Sequence, residues 1–284
     1  MTRSKARKRS TKKKKNRQPM PQTPKSDSTG AQKKSRSPRL RKTITLTAFS
    51  LILISAFVVW ANWPSAANQP KPQTNDNVLK AAILDGLYDT DPNATLIGSM
   101  VNYISSAGYC VDVFRGTNVT IDLLRNIGGY KILILRLHST IHTDGFLYIF
   151  SGEQYTESKY VNEQLTGAVR KAYTFNESET PYFALNAVFL GNNNPDGLKG
   201  TTIILTGCNG TATPYVMQRF FERGVKAYIS WNGYVDLSHS DEATLRLVRA
   251  LYTEKLGLNE ATAEVMKEVG PDPFYKSELE CHSP

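Results

Sequence analysis

From Thr43 to Trp63 the chain reads TITLTAFSLILISAFVVWANW, 21 residues without a charge. At about 1.5 Å per residue a helix of that length reaches across a hydrocarbon core of roughly 30 Å. The run has no polar face, which argues against a helix buried in a soluble core. Trp60 and Trp63 stand at one end, where indoles favour the membrane interface, and Arg39, Arg41 and Lys42 flank the other. We therefore expect one transmembrane helix over residues 43–63. The competing reading is a cleaved signal peptide with Ser65-Ala66-Ala67 as its cleavage region, but both the basic and the apolar stretches exceed what a signal needs.

Charge is divided by that span. Residues 1–42 hold 17 of the 35 Lys and Arg and a single acid, Asp27; the rest of the chain holds 18 basic and 24 acidic side chains. A Pro-, Ser- and Lys-rich segment of this kind buries no core and is expected to be disordered. The run Lys12-Lys13-Lys14-Lys15 alone would suggest nucleic acid. Beside an apolar span, it reads instead as a topology determinant that contacts anionic lipid head groups. The positive-inside bias then places the tail in the cytoplasm and the C-terminal part outside it, as a single-pass protein of the cell membrane. Residues 64–77, rich in Pro, Gln, Asn and Ala, form a linker, and 78–284 is long enough for one domain.

Three cysteines are too few for a disulfide scaffold, and their spacing fits no zinc site. No metal or cofactor is called for. Outside the cell one disulfide is possible, with Cys110–Cys281 the least costly pair. Asn-X-Ser/Thr triplets stand at Asn93, Asn118, Asn176 and Asn209.

Within the domain, short apolar runs alternate with helical periodicity. Ala81–Leu84 reads as a strand, followed by Asp91-Pro92 as cap and first turn of a helix carrying Leu96, Ile97, Met100, Val101 and Ile104. Strands are expected at Cys110–Phe114, Lys131–Leu137, Gly145–Phe150, near Tyr182–Leu190, at Thr201–Thr206 and at Val225–Ser230. Helices are expected at Ile121–Ile127, near Lys159–Lys171, after Thr213-Pro214 up to Gly224, near Asp241–Leu256 and near Glu260–Val269. The order implies an α/β fold, a mostly parallel central sheet with helices on both faces.

Ligands of such sheets bind at the carboxyl ends of the strands, which here carry Asp85, Arg115, His138, Cys208 and Trp231. A thiol and an imidazole held at neighbouring strand ends could act as nucleophile and base. Gly207 and Gly210 would let a substrate backbone approach, and the backbone N–H groups of Cys208 and Ser139 could face an oxyanion. The ordinary fate of such residues is a buried small hydrophobe for Cys208 and a structural histidine for His138. His142 is the rival base; His239 and His282 are weaker candidates, Cys110 is assigned to the core, and Cys281 lies close to the C-terminus.

The strand LILRLHS, the hairpin-like DGFLYIFSGE and the strand TIILTGCNG, in that order, resemble the caspase-like peptidases. That group includes caspases, metacaspases, legumain, gingipains, separase and CHAT-type domains. GVKAYISWNGYV followed by DEATLRLVRALY is similar to its CHAT and gingipain end. The resemblance covers about residues 81–270. It implies a three-layer caspase-like (caspase–hemoglobinase) fold in which His138 is the catalytic histidine and Cys208 the nucleophile. The family carries glycine after the histidine, where this chain has Ser139. Asp85, Asp89 and Asp236, with Trp231, are candidates for the substrate pocket by position only; a carboxylate at its base would imply a basic P1 residue.

Three functions are thus expected, in descending order. The first is a membrane-anchored cysteine endopeptidase acting on a peptide or protein through a thioester. The second is an inactive caspase-like domain that binds a peptide or partner in the same cleft. The third is a sortase-like transpeptidase, which would need a β-barrel in place of these helices.

Overall fold

A computed structural model describes residues 78–174 and 180–284. The expected basic tail, membrane span and linker, and the triplet at Asn176, lie outside the described residues. Among the described residues no helix is long and apolar enough to cross a membrane.

The strands are β1 (Lys80–Asp85), β2 (Cys110–Arg115), β3 (Ile132–Arg136), β4 (Ser139–Ile141), β5 (Leu147–Gln154), β6 (Val169–Ala172), β7 (Tyr182–Asn186), β8 (Thr202–Leu205), β9 (Ala227–Trp231) and β10 (Leu279–His282). The helices are α1 (Ala94–Ser106), α2 (Ile121–Asn126), α3 (Val161–Thr166), α4 (Pro214–Glu222), α5 (Leu237–Tyr252) and α6 (Leu258–Glu268). Six strands form the central sheet in the order β10-β9-β8-β3-β1-β2, all parallel except the edge strand β10. Among the described residues the fold is mixed α/β, with a mostly parallel open sheet that carries helices on both faces.

Its four inner strands, β1, β3, β8 and β9, are buried on both sides, and the period of two sorts their side chains into two cores. Ala81, Ile83, Ile132, Ile134, Ile204, Ile229 and Trp231 face α1, α5 and α6. Ala82, Leu84, Leu133, Leu135, Ile203, Leu205 and Tyr228 face α2, α4 and a second sheet. That second sheet is antiparallel, in the order β4-β5-β7-β6. The sequence signals only part of it. Gly167, in the left-handed region at φ 74°, ends α3, and β6 begins at Val169 where a longer helix was expected. β4 has three residues and β6 reads VRKA, so neither carries an apolar run.

Two expectations fail on topology. Cys110 and Cys281 lie on β2 and β10, the two opposite edges of the central sheet. Five strand spacings, about 24 Å, separate those edges, so the pair cannot bridge; both thiols are free, and Cys110 is exposed, not core. The cap of α1 is Asn93, not Asp91. Its side-chain oxygen accepts the Leu96 N–H at 3.0 Å, and its amide donates to Asp241 at 3.0 Å. Asp91 is thereby left to line the clefts described below.

Candidate functional site

The strands β3 and β8 are hydrogen-bonded neighbours, in register from Ile132↔Thr202 to Leu135↔Leu205. The residues that leave their carboxyl ends are Leu137-His138-Ser139 and Thr206-Gly207-Cys208. Both loops open on one cleft of about 510 Å³, lined by His138, Cys208, Asp91, Val235, Thr206 and Tyr182 among others. The volume is that of a small-molecule or side-chain site. Of the chain's four histidines, His138 lines this cleft with Cys208. His142 sits half-exposed in the β4–β5 turn against Asp144 (3.2 Å). His239 meets the Gly270 carbonyl at 3.1 Å and His282 meets Glu280 at 3.0 Å.

The two loops are joined to each other. The Ser139 hydroxyl donates to the Cys208 carbonyl at 2.6 Å. A Cβ at position 207 would stand 2.3 Å from the Ser139 Oγ and 2.4 Å from the Leu137 carbonyl oxygen. Gly207 therefore makes room for the histidine loop, where the sequence suggested room for a substrate. Gly210 does the same for β9: a Cβ there would meet the Ser230 Oγ at 1.9 Å. Between them Asn209 adopts a left-handed conformation, φ 60°, and its N–H donates to the Gly233 carbonyl at 2.8 Å.

Phe150 N–H donates to the His138 carbonyl at 2.8 Å, and Ser139 lies opposite Ile149 in the β4–β5 pair. In an antiparallel ladder, bonded and non-bonded positions alternate, so the Ser139 N–H is turned away from β5, towards the Gly207 side. Serine thus keeps a turned-out N–H at this position and adds a hydroxyl that ties the two loops.

Burial shifts the protonation of both groups. It depresses the His138 imidazole, an effect that Asp91 opposes and Arg136 adds to. It raises the Cys208 thiol; a backbone hydrogen bond of Val235 lowers it and Asp272 raises it further, while the thiol itself donates to the Val235 carbonyl at 3.8 Å. At neutral pH the pair rests as imidazole and thiol, not as an ion pair. Alkylation of Cys208 by iodoacetamide is therefore expected to rise with pH around a midpoint above the ordinary thiol range near 8.5. The Cys208→Ala variant identifies that fraction of the labelling. A midpoint well below 8.5 would show a thiolate held by a cation that this arrangement does not provide.

Asp272 is fully buried. Burial pushes its carboxyl up, but N–H donors from Tyr275 (2.7 Å), Asp236 (2.7 Å) and Phe274 (2.8 Å) prevail and hold it below the usual range. It ties the loop after α6 to the loop whose Val235 carbonyl touches the thiol. Nothing in the sequence singles it out.

The pocket candidates divide. Asp85 and Trp231 are completely buried and line none of these clefts, which corrects both assignments. The Trp231 indole N–H donates to Ser240 at 3.0 Å inside the core. Asp85 accepts from Arg136 Nη1 at 2.8 Å, while Arg136 Nε and Nη2 grip Asp241 at 2.8 and 2.9 Å. A charged residue inside the apolar run ILILR had to find buried partners, and Asp85 stands in register with it on β1. Asp236 caps α5, accepting from the Ser238 N–H at 2.9 Å. It lines a second cleft of about 770 Å³ that shares Thr90, Asp91 and Leu237 with the first. The larger cleft contains neither Cys208 nor His138, so the smaller one is the candidate site. Asp89 is an exposed turn residue.

No protein-family model matches the chain, and no curated protein matches it. Among solved structures it is similar to the crystal structure of the Drosophila initiator caspase Dronc, at 10% identity and a TM-score of 0.38, over 72% of this chain and 78% of that one. A likeness at that level fixes neither family nor activity.

Proposed function

We propose that residues 78–284 form a caspase-like cysteine peptidase domain, held at a membrane by residues 43–63, with Cys208 as nucleophile and His138 as its base. One observation carries the reading. A thiol and a deprotonated imidazole leave adjacent parallel strands at the same end and line the same cleft.

The chemistry follows from the groups present. His138 takes the proton from the Cys208 thiol as sulfur attacks the carbonyl carbon of a peptide bond. The carbonyl oxygen becomes an oxyanion, for which the N–H groups of Cys208 and Ser139 are the available donors. The C–N bond then breaks, the imidazolium returns its proton to the departing amine, and a thioester remains. Water, deprotonated by His138, attacks the thioester carbonyl; the C–S bond breaks, the acid is released and the thiol regains its proton.

The test is labelling of the full chain with a peptidyl thiol-directed probe. Wild type is expected to be modified at Cys208, read by peptide mapping, and Cys208→Ala to lose that modification while the exposed thiol of Cys110 labels alike in both. Equal labelling of the two would remove Cys208 as nucleophile.

One observation favours the second reading, a domain that binds peptide without turnover. The Cys208 Sγ–H is directed at the Val235 carbonyl, and burial keeps it protonated. A folded wild type that binds peptide with no Cys208-dependent hydrolysis would select it.

A further inference from the structure

We propose that the end of the central sheet opposite the Cys208 cleft is a binding site for the headgroup of an anionic phospholipid, seated between Lys131 and Lys226.

Residues 78–284 carry 17 basic and 23 acidic side chains. Twelve of the basic ones, such as Arg125, Arg170 and Arg246, are engaged in ion pairs, hydrogen bonds or ring contacts. The five that remain are Lys80, Lys131, Lys199, Lys226 and Lys255, all exposed. Their placement is not scattered. Lys80 opens β1, Lys131 immediately precedes β3, Lys199 lies on the approach to β8 and Lys226 immediately precedes β9. Lys255 lies in the turn between α5 and α6, one residue from Leu256 on the same cleft. Four adjacent strands thus each have a lysine at or within three residues of their start, in a domain whose net charge is negative. The backbone confirms the adjacency: Lys131 N–H donates to the Lys80 carbonyl at 2.8 Å, and Lys226 N–H to the Thr201 carbonyl at 2.9 Å.

These cations surround a cleft of about 470 Å³. Lys131 and Lys226 are its charged lining residues, and no carboxylate lines it. Leu79, Tyr109, Tyr252 and Leu256 supply apolar wall. Glu254 is already paired with Arg246 and Arg249, Asp112 accepts from the Tyr130 hydroxyl and Glu260 from the Gly257 N–H, so the acids near this end are turned to other donors, and Asp196 is the one on a strand-entry loop. Unpaired like charges held together are unfavourable without a counter-charge, and two ammonium groups above an apolar wall fit an anion that carries hydrocarbon. A free phosphate would use the lysines and leave the wall wet. The phosphodiester of an acidic lipid uses both. Exposed Val78 and Leu79 stand at the same end, where the described chain enters β1.

The proposal does not depend on Cys208 chemistry, and it can fail separately from the membrane span. The experiment is acetylation of lysine side chains, read residue by residue by mass spectrometry. The full chain is compared in nanodiscs of phosphatidylcholine, in nanodiscs containing phosphatidylglycerol, and in detergent with inorganic phosphate. On the anionic discs, Lys80, Lys131, Lys199, Lys226 and Lys255 are expected to react about five-fold more slowly than on neutral discs, while Lys159, Lys171 and Lys276 keep their rates. The double variant Lys131→Gln/Lys226→Gln should lose the difference at Lys80 and Lys199. Equal rates on the two discs would overturn the proposal. So would protection by phosphate in detergent with none on the discs, which would make the ligand a soluble anion. Alkaline carbonate extraction of cell membranes reads the anchor independently. An extracted but protected chain leaves this site standing without the anchor, whereas a retained but unprotected chain refutes the site alone.

Discussion

Replacing Arg136 by leucine is expected to lower the unfolding free energy by about 3–5 kcal/mol at neutral pH, because it strands two buried carboxylates. Arg136 is the largest charged side chain in the core, and its three nitrogens are all committed, to Asp85 and to Asp241. One arginine faces two acids, and one oxygen of Asp85 is buried without a partner. Burial accordingly raises the Asp85 carboxyl above its ordinary value, against the lowering pull of Arg136. The sign of the pH dependence follows. A carboxyl raised on folding contributes stability that is full below its unfolded value, near 3.9, and is lost as pH rises through its folded value. Without the guanidinium that value climbs further, so the deficit of Arg136→Leu should deepen from acid to neutral pH. Urea unfolding at several pH values measures this. Asp85→Asn in the same background should recover part of the loss. A deficit that does not change with pH would refute the account.

His138→Gln is expected to lower turnover of a peptide substrate by about 10²–10⁴-fold with KM altered only a few-fold, the signature of a lost proton-transfer group. Glutamine approximates the size of the imidazole and its ability to hydrogen-bond, but cannot carry the proton. Alkylation of Cys208 at high pH should persist, since it needs no base. His142→Gln is the control. That ring lies in an exposed turn outside the cleft and should leave turnover unchanged. Equal effects of the two substitutions would remove His138 from the mechanism.

The apolar strands were the legible part of this chain. ILILR, TIIL and AYISW are buried on both faces and carry an unbroken signal, and their carboxyl ends led to His138 and Cys208. The second sheet was legible only where β5 and β7 are apolar; its edge strands are too short and polar to register. Helix starts slipped for a local reason. The caps that act are Asn93 and Asp236, whereas Asp91-Pro92 and Asp241 offered equally good signals. Strand-end logic also overreached, because a residue can terminate a strand and still point into the core, as Asp85 and Trp231 do. Asp272 was illegible, since its role depends on N–H groups contributed by backbone 36 residues away as well as by its own turn.

The join between residues 207 and 139 also bears on how distant kin of this chain should be read. The space beside Gly207 is taken by the histidine loop whether or not a sulfur follows. Descent that discards the thiol would still retain the glycine. A glycine conserved at this strand end therefore testifies to shared architecture alone, and says nothing of whether a thiol or an imidazole stands beside it.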